Sequence, residues 1–188
     1  MTAILKVDTI QDTSGNNIIN ENANTVTIGK AGDTVNVVGT LQNDGAALVT
    51  GKILQVVNTT STTQRTTTST SFVDSGLSVS ITPSSASSKI LIIFSSFGYA
   101  DTTGQASVYT AYRNAVNLGD GTVGNFKFVN GGSNLEYGMN FQIYDTPSTT
   151  SAISYTVYHK VTGGGAISYI SRSGAPSYLT AMEIAGWL

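Results

Sequence analysis

Three aspartates, a single histidine and a scatter of tyrosines are the side chains in this sequence with chemistry to offer. Asp101, Asp120 and Asp145 stand in Asp-Thr-Thr-Gly, Asp-Gly and Asp-Thr-Pro contexts. Glycan cleavage needs two carboxylates about 5 to 9.5 Å apart across the sugar. The simpler reading of these contexts is turn chemistry, in which the carboxylate bonds its own backbone. His159 shares a strand face with Tyr155, Val157 and Val161. Three copies around an axis would bring three imidazoles to one metal, but no second ligand type lies near it in sequence. A hydrogen-bonded histidine on a packed face is therefore expected. No Gly-x-Ser-x-Gly elbow is present to build a serine triad. No catalytic residue, cofactor or metal site is assigned, and the chain is expected not to be an enzyme.

The tyrosines suit adhesion better than catalysis. Nine Tyr and one Trp occur in a chain with only 11% charged residues. Aromatic rings give rigid contact area at low entropic cost and stack on sugars. Tyr99, Tyr169 and Tyr178 fall near expected loop-rich edges and are the candidate receptor-binding residues. Core or inter-subunit packing is the commoner fate of such rings. Trp187 is expected to close a domain end or touch a neighbour. Asn58-Thr-Thr60 matches a glycosylation acceptor, which has meaning only in a eukaryotic secretory route.

The elements that must position these residues are strands. In 188 residues there are 27 Thr, 22 Ser and 14 Asn, so hydroxyl and amide groups replace the missing charge. Thr favours pleated surfaces, whereas Ser and Asn favour turns. A net charge of -2 with nine dispersed Lys and Arg excludes the clustered bases that nucleic acid requires. Absence of cysteine excludes disulfides and thiolate metal sites. The longest apolar run, Ile90 to Phe94, is too short for a bilayer, and Met1 to Asp8 lacks the parts of a secretory signal. No membrane insertion is expected.

Alternation and turn dipeptides dominate the chain. Near the N-terminus, Asn24-Thr-Val-Thr-Ile28 and Asp33-Thr-Val-Asn-Val37 repeat at a spacing of nine, with Val26/Ile28 and Val35/Val37 on one face. Such short strands with one apolar stripe cannot form a core alone. Three copies wound on an axis bury the stripes, so Val26, Ile28, Val35 and Val37 are the expected trimer interface. Asp44-Gly45 marks a turn. Residues 59–71 read as a loop plus an edge strand. Strands are then expected at Phe72–Pro83, Lys89–Ser95 (covered on both faces), Gln105–Arg113, Asn125–Val129, Glu136–Tyr144, Ile153–Val161, Ala166–Ser171 and Tyr178–Ile184. Asn114 to Gly121 supplies a turn and a short return strand. Eight or more strands at this spacing indicate an all-β fold, a β-sandwich of jelly-roll-like type.

Several stretches resemble the distal domain of phage tail-fibre-like virion proteins, of the marine and cyanobacterial type. They are Phe72-Val-Asp-Ser-Gly-Leu-Ser-Val-Ser-Ile-Thr-Pro83, Ser87-Ser-Lys-Ile-Leu-Ile-Ile93, Tyr112-Arg-Asn114, Tyr144-Asp-Thr-Pro-Ser-Thr-Thr150, Ala152-Ile-Ser-Tyr155 and Leu179-Thr-Ala-Met-Glu-Ile184. Leu5-Lys-Val-Asp-Thr-Ile10, Asp12-Thr-Ser-Gly-Asn16 and Thr34-Val-Asn-Val-Val-Gly-Thr40 are similar to the shaft openings of that group. The resemblance implies residues 1–50 as a virion-attachment and shaft region and 51–188 as a head. It also implies a homotrimer, another virion protein bound through the N-terminal region, and a host-surface glycan or outer-membrane component as target. The expected function is a small trimeric tail fibre or tip that adheres to the host, located on the virion. The alternative is a capsid decoration or cement protein with the same type of head.

Overall fold

The computed structural model describes residues 42–43, 46–47, 52–132 and 135–185. The chain divides into two units, Met1–Leu48 and Val49–Leu188. In the first, β1 (Gln42–Asn43) and β2 (Ala46–Ala47) pair antiparallel on either side of Asp44-Gly45. The expected stripe of Val26, Ile28, Val35 and Val37 lies outside the described residues, as does Trp187.

The second unit is a β-sandwich. Its strands are β3 (Ile53–Ser61), β4 (Arg65–Thr67), β5 (Val73–Ile81), β6 (Lys89–Ala100), β7 (Ala106–Arg113), β8 (Val116–Asn117), β9 (Phe126–Val129), β10 (Leu135–Asp145), β11 (Ile153–Val161), β12 (Ser168–Ile170) and β13 (Ser177–Ile184). One sheet has the order β10-β6-β13-β3; the other runs β5-β11-β7-β8, with β9 also on β7. The antiparallel pairs nest: β3 with β13, β5 with β11, β6 with β10, β7 with β9. First pairs with last, and each inner pair lies inside the one before. That is a long hairpin rolled into two sheets, the jelly-roll wiring.

Alternation decides which side chains fill the space between the sheets. Leu77, Val79 and Ile81 of β5 face Ile90, Ile92 and Phe94 of β6, with Met139, Phe141, Tyr155, Val157 and Leu179 completing the core. Gly98 is a structural necessity here, since a Cβ would sit 2.7 Å from the Tyr137 ring that crosses it. That ring stacks on Phe128 at 3.8 Å.

Three strands depart from the expected pattern. β3 was not foreseen, because Ile53-Leu-Gln-Val-Val breaks alternation; a bulge opposite Glu183/Ile184 and an apolar outer face account for this. β6 is five residues longer than the expected Lys89–Ser95, and its outer residues Leu91 and Ile93 are half-exposed rather than covered. β7 is buried on both faces from Ala106 to Ala111, because the segment after β8 folds back over it. There Asn125 Oδ1 accepts hydrogen bonds from Thr110 Oγ1 (2.9 Å) and Ala111 N (3.0 Å).

The last strand is locked by a carboxylate. Glu183 on β13 is buried and accepts from Gln55 Nε2 of β3 at 2.6 Å, and from both Ser84 N and Ser84 Oγ at 2.7 Å. Burial alone would raise its pKa, but the donors around it, from Gln55 and Ser84, outweigh burial and hold it at about 2. The ion is thereby a clasp between first strand, last strand and the β5–β6 turn.

The fold-back over β7 turns on Gly124, at φ +62, where a Cβ would lie 2.3 Å from the Tyr109 carbonyl oxygen. Gly124→Ala is expected to destabilise the head by about 2 kcal/mol or more, since left-handed strain alone costs of order 1–3 kcal/mol. Urea unfolding followed by tryptophan-independent far-UV circular dichroism checks this; an unchanged midpoint would refute the steric argument.

Candidate functional site

Two of the three tyrosine candidates meet in space. Tyr99, near the end of β6, and Tyr169, the middle residue of β12, pack edge-to-face with centroids 5.4 Å apart. Between them stands a residue that sequence reading passed over. The Arg172 guanidinium lies 4.3 Å from the Tyr99 centroid and 4.8 Å from that of Tyr169. Both contacts are within cation–π range. Among the described residues, the salt bridge is Arg113–Asp145, so no carboxylate neutralises Arg172. Its Nε has no hydrogen-bond partner.

The aim of this arginine is set from beneath by serines. Arg172 opens a short 3-10 turn, Arg172–Gly174, whose flanking Ser171 and internal Ser173 are both left-handed, at φ 56 and φ 55. Non-glycine residues adopt that conformation only where surroundings enforce it. Buried Ser171 is held by Ser177 Oγ at 2.6 Å, by its N–H donated to Ser96 Oγ at 3.2 Å, and by its hydroxyl donated to Ser61 O at 3.2 Å. Ser96 and Ser177 hydroxyls also bond each other at 2.5 Å. Ser173 N donates to Gln64 Oε1 at 3.0 Å. Tyr169 is fixed through its carbonyl, which accepts the Tyr109 hydroxyl at 2.8 Å; Tyr137 must then donate to Tyr109, also at 2.8 Å.

Tyr178, the third candidate, is exposed on the outer face of β13 and pairs in register with Ser95. β13 is an interior strand of its sheet, so Tyr178 is not at an edge. Phe97, also exposed, occupies the diagonal position on β6, and Tyr99 follows two residues on. These aromatic positions therefore share one end of one sheet face.

A second aromatic group lies on the other sheet. Tyr112 and Tyr158 stack at 3.9 Å, Phe72 meets Tyr112 edge-on at 6.4 Å, and Lys160 Nζ sits 4.4 Å over Phe72. Here the cation already donates to Gly121 O at 2.9 Å and the rings consume one another's faces. That group closes a surface rather than offering one.

The three aspartates do not converge. Asp145 pairs in register with Ile90, whereas Asp101 follows the opposite end of the same strand β6. Asp101 accepts from Thr102 Oγ1 and Ile167 N. Asp120 accepts from the backbone N–H groups of Val123 and Thr122, which hold its carboxyl below the usual range. Both are turn formers. Asp145 is different: buried, it takes a two-oxygen contact from Arg113 at 2.8 and 3.0 Å and the Tyr155 hydroxyl at 2.7 Å. Burial, then the bond to Asp145, pushes the Tyr155 phenol up. The group ties β7, β10 and β11 together.

His159 is the packed histidine that its surroundings in sequence suggest. It is buried inside its own sandwich, stacked 6.2 Å from Tyr109, with Nδ1 3.1 Å from Ser168 Oγ. Such a ring does not face a symmetry axis. Burial, aided by the Arg65 charge, lowers its pKa to about 4.

No known protein family matches the chain, and none of the curated proteins does. Solved structures similar to it include a mutant VP2 protein of infectious bursal disease virus in T=1 particles, with TM-score 0.41 and 16% identity over 82% of this chain and 42% of that one. Another is the T13 particle of the same virus, with TM-score 0.42 and 14% identity over 81% and 40%. The chain spans less than half the length of these proteins. So loose an overlay carries no argument about function, and the jelly-roll assignment rests on the strand pairing itself.

The histidine sets an acid limit on the head. Unfolded His159 takes its proton near pH 6.5, while the folded ring refuses it until about pH 4. The unfolded state therefore binds more protons in that window, and stability falls as pH drops through it, by about 3 kcal/mol at pH 4. Unfolding midpoints in urea between pH 7 and 4 should show this slope in the parent chain and lose it in His159→Asn. A parallel slope in both would refute the assignment. Glu183 adds a separate loss between pH 4.5 and 2, since its stabilisation disappears as the folded carboxylate is protonated.

Proposed function

We propose that the chain is a non-enzymatic virion structural protein: a small homotrimeric phage fibre or tip whose head adheres to the host surface. Residues 1–50 form its attachment and shaft region and bind another virion protein, and residues 51–188 form the head. Support comes from the resemblance of the motifs and from one observation on the head, the polarity of a sheet face.

On the outer face of the sheet β10-β6-β13-β3, Tyr144, Leu91, Met182 and Val56 form one cross-strand row. Ile184 and Ile53 stand in the next row. Tyr144, Val56 and Ile53 are 57%, 54% and 57% exposed, which is costly for side chains of this size. The middle of the face is more polar: Asn140, Ser95, Tyr178 and Thr60 form one row and Gln142, Ile93, Thr180 and Asn58 the next, six of the eight being polar. The apolar rows lie where the chain comes in: Ala185 N donates to Lys52 O at 2.9 Å beside the start of β3. Association of three heads through this end brings their apolar rows together. Covering the rows with the other copies then removes the apolar surface from water.

The aromatic end lies eight residues further along β6, roughly 26 Å away at about 3.3 Å per residue. One end of the face thus serves assembly and the other is left for contact. Three heads per trimer, and many trimers per particle, convert weak contacts into avidity.

Sedimentation equilibrium at low micromolar concentration should give three times the 19.6 kDa chain mass. Val56→Glu combined with Leu91→Glu should lower the association constant at least tenfold while leaving the far-UV spectrum unchanged. A folded single chain at that concentration would refute the trimer. Free protein should block infection of a susceptible host, and antibody to it should decorate tails in negative stain. Decoration of capsids instead, with protection of empty capsids from heat, would favour the cement alternative.

A further inference from the structure

Arg172 is an odd residue to find in this place. The chain carries nine basic residues. This one lies against two tyrosine rings, on a turn fixed by buried hydroxyls, with no carboxylate partner among the described residues. Structural arginines satisfy their fork with carboxylates or carbonyls, as Arg113 does with Asp145 and Arg65 does with Ser61 Oγ and Thr63 O. Stacking uses the face of the guanidinium; with Nε buried and unpartnered, the terminal N–H groups are the in-plane donors left for a ligand. A planar fork backed by aromatic rings matches a carboxylate presented on an apolar ring face.

We propose that Arg172, Tyr99 and Tyr169 form a binding site for a carboxylated sugar unit of a cell-surface polysaccharide. The guanidinium pairs with the sugar carboxylate through its terminal N–H donors, and the tyrosine edges that the cation leaves uncovered border the C–H face of the pyranose. Glu136, exposed and opposite Tyr99 on β10, accepts sugar hydroxyls. The loops around the site are bonded to one another: Gly104 N to Asn130 O at 2.7 Å, Thr102 Oγ1 to Gly165 O at 3.1 Å, Ile167 N to Asp101 Oδ1 at 3.2 Å. The site therefore sits on a surface already ordered before any ligand arrives, which lowers the entropic cost of binding.

This inference names the target class of the adhesive reading above and rests on it for its biological meaning, but the binding itself is tested alone. The full chain is titrated with a galacturonic acid tetramer, the matching neutral galactose tetramer, mannose 6-phosphate and acetate, read by saturation-transfer NMR and calorimetry. The acidic tetramer should bind at least tenfold more tightly than the neutral one, with acetate and the phosphorylated sugar weaker still. Arg172→Gln should lose at least tenfold in affinity. Arg172→Lys, which keeps charge but not the planar fork, should lose most of that too. Melting curves and sedimentation of both variants should match the parent, which separates a lost contact from a lost fold.

Equal affinity for acidic and neutral tetramers, or unchanged binding in Arg172→Gln, overturns the site. Preference for mannose 6-phosphate overturns the carboxylate assignment. Cell binding distinguishes the two levels. If Arg172→Gln still blocks infection as the parent does, the sugar site fails and adhesion stands. If the parent blocks nothing, the adhesive reading fails, whatever the sugar titrations give.

Discussion

The head depends on one topological act, the insertion of its last strand between its first and fourth. Until β13 lies between β3 and β6, two sheet edges are open and Gln55 and Ser84 have no carboxylate to bond. Once it is in place, Glu183 becomes a buried anion whose donors all come from distant parts of the chain. A buried charge so satisfied cannot be left half-made without a large penalty. The interaction thus makes closure of the roll close to all-or-none. Pairings of such high sequence separation carry a loop-closure cost before any contact returns it, so slow, late closure of the sheet is expected of this wiring.

Much of the fold was legible because two-residue periodicity is a direct image of the pleat. β5, β11 and β13 put every second residue into the core, and their positions were readable to within a residue or so. The departures have one physical source. Alternation reports which face is apolar, and never what covers it. β6 reads as a strand buried twice over, yet its outer apolar residues face out; β7 reads as alternating, yet a returning loop buries both faces. β3 escaped notice because its apolar residues serve the core and the outer face at once, with a bulge between them.

The site was half-legible for a similar reason. Tyr99 and Tyr169 carried a visible chemical signal, aromatic residues beside turns. Arg172 carried none, since a solitary arginine in Ser-Arg-Ser-Gly is ordinary surface composition. Only the left-handed serines, and the three hydroxyls that hold them, aim it between the rings. The available clue was Tyr169 three residues before Arg172 across a turn rich in Ser and Gly. Asp145, by contrast, looked like turn chemistry and is a buried ion pair, because its partners Arg113 and Tyr155 come from strands remote in sequence.

Because β3 begins and β13 finishes at the same pole, both ends of the described head leave it side by side. Insertion of the head into another chain therefore needs a joint at one pole alone. The loops of the far pole, tied to one another rather than to that joint, can then vary without disturbing the strands where the head begins and ends.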